Sequence, residues 1–168
     1  MTQRRDFIKQ SVLGTAGIAI GGMGFSAKSY ASIIGANDRF RIAVCGLNGR
    51  GKSHIRGFGE RDDVEIVYLV DPDSKVLNER VGQLREQGGN SSRVKGEADF
   101  RRVLEDRNLD AISVATPNNW HSLMVIWAAQ AGKHCYVEKP ASHDIYQGRV
   151  ALEAAKKYGI VVQHGGHI

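Results

Sequence analysis

Cysteine is scarce in this chain, with two residues in 168, and long apolar runs are missing. Cys45 and Cys135 supply no disulfide framework and match no metal-binding spacing. Both lie in apolar, strand-like runs and read as small buried hydrophobes. Residues 12–25 are mildly hydrophobic, but 14 residues with five glycines are too short and too weakly apolar for a bilayer span. There is no basic run with interleaved aromatics, and the formal charge of +5 is unevenly placed. Residues 1–31 hold Arg4, Arg5, Lys9 and Lys28 against Asp6, a net of +3 that leaves +2 for the remainder. Nucleic acid is therefore not an expected partner. Internal repeats are absent. His164 and His167 frame two glycines with no carboxylate or cysteine close in sequence, so no metal is expected there.

What is present is the composition of an ordinary globular domain, 42% apolar and 24% charged. The length suits one domain with a real core. The first segment stands apart. Arg4-Arg5-Asp6-Phe7-Ile8-Lys9 pairs a twin arginine with apolar residues and a lysine, and Ser29-Tyr30-Ala31 is a small-x-small cleavage site. It resembles a bacterial twin-arginine export signal. Residues 1–31 are accordingly set aside from the fold. A periplasmic location is expected, free or tethered by an uncleaved segment, with the twin-arginine machinery as a partner. That route carries folded proteins, so a bound cofactor would travel with the chain and be regenerated in place.

From residue 38 onward strands and helices alternate. Residues 41–45 form an apolar, β-branched strand, followed by Gly46, Asn48 and Gly51 at the three positions of a G-x-G-x-x-G pattern. Residues 52–56 continue as a helix. A second strand spans 64–70 and ends at Asp71, which is expected to cap a helix with Pro72 in its first turn, running to about Gln87. A short strand at 92–95 and a short helix at 98–104 follow. Residues 111–114 make a fourth strand. Asn119 is expected to cap the next helix, with Trp120, Leu123, Ile126 and Trp127 packed on the sheet. Residues 134–137 and 160–163 complete six strands. The last helix shows Ile145, Gly148, Leu152 and Ala155 on one face and stops at Gly159. This is an α/β chain with a doubly wound parallel sheet, a Rossmann fold, as a single domain over 38–168.

A strand, a glycine turn and a helix start make a pyrophosphate site, because bare amides and the positive helix end face the anion. Asp71 lies 20 residues beyond Gly51, where a carboxylate accepts hydrogen bonds from an adenosine ribose. It also repels a 2′-phosphate, which favours NAD over NADP, with Lys75 near enough to keep NADP open. Asn48 replaces the second glycine. Asparagine tolerates left-handed dihedrals, and Gly49 beside it relieves crowding. Two further stretches follow strands at their carboxyl ends: Thr116-Pro117-Asn118-Asn119-Trp120-His121 and Glu138-Lys139-Pro140. A partly desolvated Lys139 ammonium there can stabilise a developing alkoxide. A salt bridge from Lys139 to Glu138 is the bland alternative, but adjacent strand residues point to opposite faces.

Taken with the glycine turn, these stretches resemble the Gfo/Idh/MocA superfamily (glucose–fructose oxidoreductase, inositol dehydrogenase, MocA) over residues 40 to about 166. The resemblance implies a nicotinamide dinucleotide cofactor. It carries Gly46, Asn48, Gly49, Arg50, Gly51 and Asp71 over as cofactor contacts, and Thr116, Pro117, Asn118 and His121 as the wall near the nicotinamide half. Glu138 and Lys139 become the motif beside the nicotinamide ring, with Lys139 catalytic. His121 could equally pack or cap. Family members carry a second α+β domain that supplies an acid/base histidine and the substrate surface. None is expected in these 168 residues, which read as a fragment, a truncated product or half of a split enzyme. Three functions stay open: an oxidoreductase acting on a sugar, polyol or derivative; a glycosidase that oxidises and re-reduces a sugar with bound NAD; and a nucleotide-binding module without catalysis.

Overall fold

The computed structural model describes residues 39–166. The twin-arginine segment, residues 1–31, and His167 lie outside the described residues.

Six parallel strands form one sheet: β1 (Phe40–Cys45), β2 (Val64–Val70), β3 (Lys95–Glu97), β4 (Ala111–Val114), β5 (His134–Val137) and β6 (Val162–His164). Their order is β3-β2-β1-β4-β5-β6, all pairs parallel. The helices are α1 (Gly51–Gly59), α2 (Ser74–Gln87), the short α3 (Phe100–Val103), α4 (His121–Gln130) and α5 (Ile145–Tyr158). Alternation along β1 divides the core. Ile42 and Val44 join Leu77, Val81 and Leu84 of α2 on one side. Ala43 and Cys45 join Phe100, Met124, Val125 and Ala151 on the other. Burial on both faces is why the strands read as apolar runs rather than alternating ones. The doubly wound sheet holds as expected, and its order reverses between β1 and β4, the switch point at which such sheets bind ligands.

The second, fourth and fifth strands fall where expected, and the others correct the reading. Of residues 92–95 only Lys95 is in the strand. Val94 N–H donates to the Ser91 carbonyl in a turn, its side chain is buried under α2, and the ladder starts one residue later. β6 likewise starts at Val162, because the Val161 amide is taken by the His134 ring at 3.0 Å. Helix α2 is capped by Asp73, not Asp71. Asp73 Oδ1 accepts from the Lys75 and Val76 amides, and Pro72 precedes the cap.

Two helical faces also differ. In α4 the buried apolar residues are Met124, Val125, Ala128 and Ala129; Ile126 and Trp127 pack against the core as expected, partly buried, while Trp120 is 45% exposed and Leu123 also faces out. This helix is apolar nearly all round, so spacing does not select its buried side. Asn119 does not cap it; a 3-10 turn, Asn118–Trp120, leads into His121 without a side-chain cap. In α5 the buried stripe is Ala151 and Ala155, with Ile145 and Leu152 exposed. Small side chains let α5 approach its neighbours closely, a preference that larger apolar residues on the same helix masked. Gly159 ends α5 in the left-handed conformation, φ 67°.

Cys45 and Cys135 are free and buried. Burial pushes the Cys45 thiol up and Cys135 up to about 12, so both stay protonated and inert.

Candidate functional site

The carboxyl ends of β1, β2, β4 and β5 converge, and hydrogen bonds fix where each loop leaves. The first residue past each strand still donates to its neighbour: Gly46 to the Val70 carbonyl at 2.9 Å, Ala115 to Cys45 at 2.8 Å and Glu138 to Val114 at 2.9 Å. Loops that start from pinned residues place their side chains reproducibly.

In the glycine turn, two of the three pattern positions are obligatory and the middle one is free. Gly46 has φ 83°, and a Cβ there would lie 2.7 Å from the backbone of Ala115 and Thr116. A Cβ on Gly51 would overlap the Gly46 carbonyl oxygen. Asn48 does not adopt a positive φ, so the left-handed tolerance expected of asparagine is not what admits it. Asn48, Gly49 and Arg50 are all exposed, and a Cβ on Gly49 would meet nothing within 4 Å. The turn is therefore tight where it touches protein and open where a ligand would come. Helix α1 begins at Gly51 with no side-chain cap, no acid in its first turn, and Arg50 and Lys52 exposed beside it. That positive, uncapped end fits a pyrophosphate.

Asp71 is freed from capping by Asp73 and turns inward. Its Oδ2 accepts from the Leu47 amide at 2.8 Å and its Oδ1 from the Asp73 amide at 3.0 Å. The carboxylate so ties the glycine turn to the end of β2. Each oxygen keeps a second acceptor position, which is what a ribose hydroxyl would use.

Across the switch point, Thr116, Pro117 and Asn118 line the loop after β4, with Thr116 Oγ1 donating to Met124 Sδ at 3.5 Å. His121 stands behind this wall rather than in it. It is 1% exposed, with Nε2 at 2.8 Å from the Thr116 carbonyl and Nδ1 at 2.7 Å from the Pro140 carbonyl. A ring so buried meets no ligand; it fastens the two loops together. The Lys139-Pro140 peptide is cis, and the Lys139 side chain is exposed.

Glu138 joins the two halves. Its Oε1 accepts from Arg50 Nε at 3.0 Å and His54 Nε2 at 2.9 Å, and its Oε2 from the Lys139 amide at 3.3 Å. The carboxylate is 7% exposed. Burial pushes its pKa up, but the bonds from His54, Arg50 and the Lys139 amide outweigh burial and hold it at about 2. Glu138 is engaged by these partners and the Lys139 side chain faces solvent; both residues lie past β5, so strand alternation is not what separates them. His54 and Ser113, hydrogen-bonded to each other, were missed by sequence reasoning. A histidine one turn past the third glycine was visible, but its partners lie 59 and 84 residues away.

A parallel doubly wound sheet with a pinned glycine turn at its switch point defines a dinucleotide-binding domain of the dehydrogenase type. The comparisons agree. Residues 40–166 match the GFO_IDH_MocA family, described as an oxidoreductase family with an NAD-binding Rossmann fold, and the chain belongs to it. It is 33% identical over 125 residues to a myo-inositol 2-dehydrogenase of Thermotoga maritima, covering 74% of this chain and 35% of that protein. It is 31% identical over 149 residues to a glycosyl hydrolase family 109 protein of Solibacter usitatus, covering 86% and 34%. Among solved structures, a probable dehydrogenase from Thermotoga maritima superposes with a TM-score of 0.68 at 30% identity, over 74% of this chain and 35% of that one. The chain thus spans about a third of the length of the curated relatives it matches.

Gly51→Ala is expected to lower the thermal midpoint and abolish NAD binding, because its Cβ meets backbone rather than a movable side chain. Gly49→Ala is expected to leave the midpoint unchanged, so any loss of NAD affinity measured by calorimetry reports ligand approach alone. Glu138 also makes folding acid-sensitive. Its value is lowered from 4.5 to about 2, so the stability it contributes is complete above its unfolded value and is lost as pH falls through the folded one. Urea unfolding between about pH 5 and pH 2 should show a falling stability that Glu138→Gln flattens.

Proposed function

We propose that the protein is an NAD-dependent oxidoreductase acting on a sugar, polyol or sugar derivative. The observation that carries this reading is Glu138, which brings the glycine turn and the Glu138-Lys139-Pro140 loop to one side of the switch point. The dinucleotide supplies a two-electron hydride acceptor or donor when bound. The α1 end with Arg50 would receive its pyrophosphate, Asp71 its adenosine ribose, and the loop from Thr116 to Asn118 would line its nicotinamide half. The Asp71 carboxylate would repel a 2′-phosphate, which favours NAD over NADP.

Lys139 is the group left free to meet substrate. Its ammonium can donate a hydrogen bond to the oxygen on the reacting carbon and stabilise the negative charge that grows there as hydride leaves. The relatives named as a myo-inositol dehydrogenase and as a glycosyl hydrolase family 109 protein support a polyhydroxylated ring as substrate. The second name also keeps a glycosidase reading, in which the same oxidation is reversed after glycoside cleavage. Hydrolysis of an aryl glycoside without net NADH release distinguishes it from a dehydrogenase. In either case the substrate surface and acid/base partner would come from a second domain. Binding without turnover would mark this chain as a nucleotide-binding module.

We also propose that residues 1–31 direct the folded, cofactor-loaded protein out of the cytoplasm. Replacing Arg4 and Arg5 by lysine is expected to retain the protein in the cytoplasm of a bacterial host; unaltered periplasmic recovery would reject the signal.

Calorimetry on the chain tests the main reading, with NAD expected to bind more tightly than NADP. Absence of binding by either overturns it. If turnover with a sugar or polyol panel is found, Lys139→Ala should lower it about a hundredfold, a larger effect than on NAD affinity.

A further inference from the structure

Beneath the site, Glu138 is held in a polar cluster by His54 and Ser113, two residues that none of the roles above uses. His54, 7% exposed, places Nδ1 at 2.7 Å from Ser113 Oγ and Nε2 at 2.9 Å from Glu138 Oε1. Ser113 is 1% exposed on β4. The edge of the imidazole is confined by Tyr136 and Phe58, whose ring centroids lie 5.3 and 6.4 Å away in edge-on geometry. A carboxylate only accepts, so His54 Nε2 carries the hydrogen donated to Glu138 in either protonation state of the ring. In the neutral ring Nδ1 accepts from the Ser113 hydroxyl, and every polar atom of the cluster is satisfied. Serine, histidine and carboxylate in line have the order of a hydrolytic triad. A serine buried in mid-strand cannot reach a substrate, so that reading fails.

What the cluster controls is the direction of the Glu138 carboxylate. One oxygen is shared by His54 and Arg50, and the other accepts the Lys139 amide. Arg50 approaches from an exposed turn with its side chain 48% exposed, whereas His54 is fixed in the core. We propose that His54 is a positioning residue for the dinucleotide site: by aiming Glu138, it couples the glycine turn to the Lys139 loop, so that each holds its place only while the other does. For its ligand arm this rests on the cofactor reading above; the coupling itself does not.

Amide hydrogen exchange by NMR on the ligand-free chain reads the coupling, and calorimetry with NAD on the same samples reads its consequence. In His54→Leu the Lys139 amide should exchange about tenfold faster, while amides in the middle of β1 and β4 keep their protection. NAD should bind about tenfold more weakly. His54→Gln, which can still donate to Glu138, should recover most of both, a rescue that a purely space-filling role would not give. If His54→Leu fails to fold, Glu138→Gln reads the same exchange, with the same acceleration at Lys139. Unchanged exchange at Lys139 overturns the proposal, as does a His54→Gln variant no better protected than His54→Leu. Coupled exchange in a chain that binds no NAD upholds the coupling and overturns the cofactor reading instead.

Discussion

The site depends on one buried carboxylate. Glu138 accepts three hydrogen bonds from three different parts of the chain: the glycine turn, the first turn of α1, and its own following peptide. Two of these donors lie 88 and 84 residues away in sequence, across the switch point of the sheet. Without that link, the β1 loop and the β5 loop would be separate structures sharing an edge. With it, they form one cradle whose width is set by a side chain rather than by chance proximity.

Around this link the chain keeps its constraints where protein meets protein and relaxes them where the turn is exposed. Gly46 and Gly51 have no room for a Cβ, because the turn crosses the Ala115-Thr116 backbone and then folds back on its own first carbonyl. Asn48, Gly49 and Arg50, between them, are exposed. Asp71 and His121 do comparable work from behind, one tying the turn to β2 and the other tying the Thr116 loop to Pro140. Four loops are thus held from the protein side, leaving their outer faces open. Preorganisation of this kind lowers the ordering cost of binding.

The fold was legible in the sequence because a parallel sheet buried on both faces writes itself as short apolar runs separated by helices. Residues 64–70, 111–114 and 134–137 are strands with the expected bounds. The glycine turn, Asp71 and the Glu138-Lys139-Pro140 stretch were legible because each sits at a strand end, at a recognisable spacing. Helix faces were not. In α4 apolar residues surround the axis, and in α5 the packing is done by alanines, so the larger side chains point outward. Nor was the division of labour between Asp71 and Asp73, since both are good caps and only the position of the first helical turn chooses between them. The His54 network was invisible for a plainer reason. Its members are joined by the sheet, and no local pattern carries a contact made across it.

The chemistry of that network also says what it is for. Burying a carboxylate against two cationic or polar donors is expensive, and well-packed apolar residues of the same volume would hold the fold as firmly. Lys133 shows the alternative use of a buried charge. Its ammonium donates to the Asp106 and Leu109 carbonyls at 2.8 and 2.7 Å, closing the loop before β4 and touching nothing else of the site. That is a local staple, and it links the loop before β5 to the loop before β4. Glu138 does something an apolar side chain could not: it receives hydrogen bonds on both oxygens, one of them from the backbone of Lys139. A group that fixes direction rather than volume belongs to a site in which direction matters, and here the peptide it fixes is that of Lys139, whose side chain is exposed.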